Sequence, residues 1–214
     1  MTYGRLLSPL IDCECSISHC AIYVKNLAAL PRTRLLGALE ECMDEFIAQL
    51  RAAYRTLQRK KIAEWKRRVS FGDLVSERLD NAREYGFGEG TTCYDNVLVL
   101  GDVKVGRHTW IGPNVILDGR GGLQIGDYVS ISAGVQIYTH DTVEWSTSLG
   151  QKPIQTSPTR IGSGVYLGPN LVIERGVTIG DRAVIGAMSF VDRDIPARAR
   201  AWGCPARVRE TDAR

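Results

Sequence analysis

The sequence predicts a mainly β protein, a parallel β-helix of hexapeptide repeats preceded by an α-helical segment, and three observations carry that reading. An aliphatic residue recurs every six positions: Val99, Val105, Ile111 and Leu117, then Ile125, Ile131 and Ile137, then Ile161, Leu167, Ile173, Ile179, Ile185 and Val191. Glycine often follows it (Gly106, Gly112, Gly126, Gly162, Gly168, Gly180, Gly186), and four places on stands a small or β-branched residue such as Val115, Val135, Val165 or Ala183. Ahead of this series the apolar residues are instead spaced three and four apart.

A period of six matches neither an amphipathic helix nor a lone strand, so it describes a larger unit. One hexad gives a short extended segment whose aliphatic and small residues both turn inward, with Gly or polar residues letting the backbone turn. Three segments close a coil of about 18 residues. Coils stack at roughly the 4.8 Å spacing of paired strands, leaving a column of Ile and Val inside.

The order along the chain is then an N-terminal α-helical segment over 1–80, the β-helix over 81–196 and a C-terminal tail over 197–214. Within the first segment, Cys13, Cys15, His19 and Cys20 have the residue types of a zinc site but not the usual ligand spacing. From Thr33 to Val69 a seam of Leu36, Leu39, Met43, Phe46, Leu50, Ala53 and Leu57 predicts a helix. Its acidic residues precede its basic ones, which complements a helix dipole. The basic end with Trp65 suits either solvent or an anionic membrane surface. Residues 70–96 connect helix to coils, and Phe87 is placed to plug the open end of the solenoid.

Two interruptions break the period. A two-residue insertion falls within Asp118–Gln124, and a long loop at 142–160 follows Tyr138-Thr139-His140-Asp141. A solenoid that throws out a loop at one corner generally uses it.

With 214 residues, 44% of them hydrophobic, the chain has room for one substantial core and one appendage. A net charge of +3 is too weak to argue for nucleic acid. No apolar run is long enough to span a bilayer, and the start does not read as a secretory signal. Six scattered cysteines do not read as a disulfide scaffold, so the expectation is a cytoplasmic protein with reduced thiols.

His140 is the natural general base, a histidine at a coil corner beside the loop. Asp141 and Asp118 are candidates to orient it or to receive an acceptor, and Trp145 in the loop could stack on a sugar ring or anchor the loop.

From about residue 95 to 210 the sequence resembles the hexapeptide-repeat acyltransferases, among them the enzymes that O-acetylate galactosides, nodulation factors and bacterial surface sugars. The resemblance rests on the repeat, on Tyr138-Thr139-His140-Asp141, on Gly186-Ala187-Met188-Ser189-Phe190-Val191, and on Asp194-Ile195-Pro196 with Trp202-Gly203-Cys204-Pro205-Ala206-Arg207. It implies a left-handed coil and a homotrimer with active sites between subunits. It implies acetyl-CoA as co-substrate, no metal, His140 as catalytic base and Asn114 as an acceptor-binding residue. It places Tyr166, Gly168 and Ala187 along the pantetheine, and Arg193 and Arg207 near the nucleotide phosphates. Pro169 stands where some relatives carry Ser, which removes a backbone donor.

The expected activity is acetyl transfer to a hydroxyl of a sugar or bacterial surface glycan. N-acylation of an amino sugar or amine, and a non-catalytic scaffold, are the alternatives. A zinc carbonic anhydrase on this fold needs three histidines, and the coils hold only His108 and His140. The basic helix leaves open a peripheral contact with the inner membrane.

Overall fold

The computed structural model describes residues 32–211, so the cysteine cluster at 13–20 lies outside the described residues. Two compact units result, one up to Lys60 and one from Lys61 onward.

One helix, α1, runs Arg32–Trp65 and ends where Lys66 takes φ +55°. That stop falls four residues short of the expected Val69, because the left-handed position is filled by a lysine, not by a recognisable Gly or Asn. Its first turn holds no acid and its last turn no base, so the charge polarity lies outside the turns where a dipole acts. Met43, Phe46 and Leu50 of the seam are exposed. Among the described residues no helix is long and apolar enough to cross a membrane.

Two short helices, α2 (Gly72–Val75) and α3 (Arg78–Glu84), precede the coils. The carboxylate of Asp73, 1% exposed, takes a bidentate grip from Arg78 at 2.6 and 2.9 Å, and that guanidinium lies 3.5 Å from the centre of the Tyr94 ring. Ala82 and Phe87 are buried in the same cluster as the first coil's Cys93 and Val97.

The coils form a parallel β-solenoid with three faces. On the first, Thr92–Cys93, Trp110–Ile111, Ser130–Ile131, Tyr166–Leu167, Val184–Ile185 and Arg200–Ala201 stack in register. On the second, Leu98–Val99, Ile116–Leu117, Gln136–Ile137, Val172–Ile173 and Phe190–Val191 do so. On the third, Lys104–Val105, Gln124–Ile125, Arg160–Ile161 and Thr178–Ile179 are followed by a bridge to Ile195. From Val105 on, every inward aliphatic of the series is buried, whereas Val99, whose strand pairs on one side only, is partly covered.

Hydrogen bonds between equivalent corners measure the coil length. Asn96 to Asn114 and Ser163 to Asp181 span 18 residues, Arg107 to Asp127 spans 20, Asp127 to Ser163 spans 36, and Thr178 to Asp194 spans 16. The two-residue insertion and the long excursion are thus additions to an 18-residue coil, and the last coil is two residues short. The insertion is absorbed as a bulge: Gly101 faces Gly119, but Val103 faces Leu123.

The glycines that follow the aliphatics do not make the turns, contrary to the sequence expectation. The left-handed residue stands three places after the aliphatic, as at Asn114, Gly134, Gly164, Asn170, Gly176 and Met188. The glycines instead allow close stacking. A Cβ on Gly168 would lie 2.5 Å from the Ala187 nitrogen in the next coil.

After the last hexads, Ala199–Gly203 and Ala206–Thr211 form an antiparallel hairpin that continues the first face. Residues read as a tail are thereby part of the sheet. The Cys204–Pro205 peptide in its turn is cis.

Candidate active site at the interrupted corner

The corner between the second and third faces carries both interruptions. Asp118 and Arg120 sit in the insertion of one coil, His140 follows Ile137 in the next, Arg175 follows Ile173 in the third, and Asp192 and Arg193 follow Val191 in the fourth. The excursion after His140 is an antiparallel hairpin more than a loop. His140–Asp141 pairs with Gln155–Thr156, and one helical turn, α4 (Val143–Thr147), lies near its tip.

Asp118 is fully buried, and its oxygens are all employed. Oδ2 accepts the Thr139 N–H at 2.9 Å and lies 2.5 Å from His140 Nδ1, while Oδ1 accepts the Arg120 N–H at 3.3 Å. Burial pushes this carboxyl up, but the hydrogen bonds from His140, Thr139 and Arg120 outweigh it and hold the group below its ordinary value. Thr139, also fully buried, accepts the Gly121 N–H at 2.7 Å on its hydroxyl, which locks the insertion to the histidine's own strand.

The imidazole tautomer follows from its partners. Arg120 Nη1 lies 3.3 Å from His140 Nε2, and a guanidinium only donates, so Nε2 is the acceptor and Nδ1–H donates to Asp118. A neutral imidazole presenting its Nε2 lone pair outward, backed by a buried carboxylate, is the state a general base requires.

Asp141 points elsewhere. It pairs with Arg175, whose Nη1 also reaches Ser157 Oγ at 3.3 Å. The Arg175 guanidinium, followed by the Val143 N–H, holds the Asp141 carboxyl below its ordinary value. This contact fastens the hairpin base to the following coil.

Further along the same corner, Asp192 binds Arg193 at 3.0 Å and Arg207 at 3.4 Å. The Arg193 guanidinium is the main cause that lowers the Asp192 carboxyl. Two guanidinium groups around one carboxylate leave a net positive charge about 10 Å from the histidine's coil at ordinary strand spacing.

Other residues singled out from the sequence lie apart from this corner. Asn114 occupies the corner between the first and second faces, with its side chain 2.8 Å from that of Asn96. Gly168 and Ala187 lie at that same corner, in later coils, and Tyr166 is exposed on the adjoining first face. The Gly168 N–H is already donated to Ile185 at 2.9 Å. Trp145, 48% exposed, rests near Gly150 of its own hairpin. His108 stacks on Tyr128 at the third corner, so the two coil histidines do not meet. Arg120, Thr139 and Arg175 escaped the sequence reading. Their signal was position: one in the insertion, one inside the Tyr-Thr-His-Asp motif, one a single coil further on.

A three-faced parallel solenoid with a buried carboxylate–imidazole pair at an interrupted corner defines a class, and the comparisons give it a family. The profile described as "Bacterial transferase hexapeptide (six repeats)" matches residues 158–193. Over 107 residues the chain is 34% identical to the galactoside O-acetyltransferase of Escherichia coli K12, covering 50% of this chain and 53% of that protein. It is 30% identical over 129 residues to WcaF of Escherichia coli K12, provisionally named a colanic acid biosynthesis acetyltransferase, covering 52% of this chain and 71% of that one. The crystal structure of a hexapeptide-repeat-containing acetyltransferase of Vibrio cholerae complexed with acetyl coenzyme A superposes with a TM-score of 0.58 at 30% identity, covering 77% of this chain and 88% of that one. The chain belongs to the hexapeptide-repeat acetyltransferase family. It spans about half the length of the galactoside enzyme it matches.

Proposed function

We propose that this protein is an acetyl-CoA-dependent O-acetyltransferase acting on a hydroxyl of a sugar or surface glycan, with His140 as general base. The observation that carries the proposal is the fixed tautomer: Nδ1–H held by buried Asp118, Nε2 left as acceptor. In the reaction Nε2 takes the hydroxyl proton, and the sugar oxygen forms a bond to the thioester carbonyl carbon. Asp118 stabilises the imidazolium so created. Backbone N–H groups of the cleft hold the tetrahedral oxyanion. The C–S bond then breaks, and the departing thiolate takes the proton back from the imidazolium.

Acetyl-CoA is the donor in this reading, with Arg193 and Arg207 facing its phosphates and Tyr166, Gly168 and Ala187 along the pantetheine. Within one chain Gly168, Ala187 and Asn114 belong to a different corner from His140, and Tyr166 to the face beside that corner. A homotrimer, in which one copy's first corner faces the interrupted corner of the next, would bring the sets together. Trp145 and Asp141 then flank the acceptor, and the work is done where acetyl-CoA is made, in the cytoplasm, with any membrane contact peripheral.

Calorimetric titration with acetyl-CoA tests the donor, run beside free coenzyme A and an Arg207→Ala variant. Micromolar binding weakened by the variant supports the reading, and absence of binding by folded protein overturns it. Thiol release with sugar and amine acceptors then tests the base, for which His140→Ala should lower turnover about 10² to 10⁴-fold.

A further inference from the structure

Arg120 is out of keeping with every other arginine of this corner. Arg175 pairs with Asp141, and Arg193 and Arg207 share Asp192. Arg120 is exposed, has no carboxylate partner among the described residues, and spends its guanidinium on the neutral His140 Nε2 at 3.3 Å. Its backbone is not free to wander. The Arg120 N–H is held by Asp118, the next N–H by Thr139, and a Cβ on Gly121 would lie 2.4 Å from the Thr139 carbonyl oxygen. The two inserted residues thus build a rigid bulge that delivers a cation to the one imidazole atom that must be vacant for a hydroxyl. A cation there occupies the base, so the arrangement is productive only when something anionic draws the guanidinium away.

We infer that Arg120 selects an acceptor bearing an anionic group beside the reacting hydroxyl, a sugar carboxylate of the uronic acid type. The inference rests on the acetyltransferase reading above. The carboxylate takes Arg120 in a bidentate ion pair, which uncovers Nε2 and neutralises the charge next to it. The vicinal hydroxyl then gives its proton to Nε2, its oxygen bonds to the acetyl carbonyl carbon, and coenzyme A leaves as described. Donor phosphates are a second source of anionic oxygen. The position of Arg120 at the proton-accepting nitrogen, three coils from Arg193, favours the acceptor.

The test compares methyl β-D-glucuronide with methyl β-D-glucoside, which differ only in carboxylate against hydroxymethyl, in wild type, Arg120→Lys and Arg120→Gln. With acetyl-CoA, kcat/KM by thiol release should favour the glucuronide by about 10-fold or more, with the ratio falling towards one in Arg120→Gln and partly kept in Arg120→Lys. A ratio near one in wild type, or one unchanged in Arg120→Gln, overturns the inference. A binding readout makes the result independent of turnover. The chain has three histidines, so with labelled histidine and a His140→Ala reference the His140 ring resonances can be followed directly. The glucuronide should shift them in wild type but not in Arg120→Gln, and the glucoside should do neither; equal shifts by both sugars refute the selection. Calorimetry with acetyl-CoA separates the remaining outcomes. Weaker donor binding in Arg120→Gln with an unchanged sugar ratio reassigns Arg120 to the donor and overturns the inference. No donor binding in any variant defeats the transferase reading, whereas the ring shift alone still decides whether Arg120 recognises a carboxylate.

Discussion

The solenoid places aspartates at its corners in two different ways. At the regular corners Asp127 and Asp181 each accept one backbone N–H from a neighbouring coil at 2.7 Å, those of Arg107 and Ser163, and remain exposed or half-buried. At the interrupted corner Asp118 is fully buried and divides its oxygens between two backbone N–H groups and an imidazole. The same residue type staples coils in the first setting and tunes a side chain in the second. The surroundings account for the difference, because the Arg120 N–H of the insertion meets one oxygen of the carboxylate while Thr139 and His140 of the next coil meet the other.

Asp118→Asn is the change that separates the two roles most widely. The amide has one oxygen: with that oxygen toward Nδ1–H and the Thr139 N–H, its NH₂ meets the Arg120 N–H donor to donor, and in either orientation the negative charge behind the imidazole is lost. Turnover should fall about 10² to 10⁴-fold, the range of a lost general base, with the circular dichroism spectrum retained. Unchanged turnover would show that Asp118 is one more staple.

In the core the two regions should behave alike, since Leu117 beneath the interrupted corner and Ile173 in the regular coils are both 0% exposed. Alanine at either site should cost about 2–5 kcal/mol in chemical denaturation, with the two losses within about 1 kcal/mol of each other. A much smaller loss at Leu117 would mean that the insertion loosens the column it interrupts.

Acidification sharpens the contrast further. The Asp118 carboxyl is held below its ordinary value in the folded protein. It therefore contributes stability that is fully present above the unfolded-state pKa of about 3.9 and is lost as pH falls through the lower folded value. Wild type should be more stable than Asp118→Asn at pH 7, and the gap should narrow as pH drops below about 4. A gap that stays constant from pH 7 to pH 3 would mean that the wild-type advantage does not come from the ionised carboxylate.

The coils were legible because one physical demand, a single inward aliphatic per face, repeats often enough to stand out from noise. His140 was legible because it abuts the largest break in that repeat. Its partners were harder to see. Asp118 was visible only as a turn carboxylate, since nothing local reveals that Thr139 and His140, a whole coil later, close over it. Arg120 and Arg175 depend on the same stacking of distant residues at one corner, which a linear reading does not display until coil lengths of 18 and 20 are known. The glycines misled in another way. Glycine is associated with turns, but the left-handed turn position is shared by Gly134, Gly164 and Gly176 with Asn114, Met188 and Arg182, whereas Gly168, directly after its aliphatic, serves contact between coils.

The smallest effect belongs to the regular corner and completes the comparison. Asp181 Oδ1 accepts the Ser163 N–H at 2.7 Å, and the carboxylate is exposed. Asparagine keeps a carbonyl oxygen at that place, so Asp181→Asn preserves the staple and turns its NH₂ toward water. It should change stability by under about 0.5 kcal/mol and leave turnover at the wild-type level. The chemical change is identical to that in Asp118→Asn, one oxygen replaced by one amide nitrogen. A loss of turnover at Asp181 approaching that at Asp118 would mean that the corners are coupled through the stacked coils, and that the interrupted corner does not act alone.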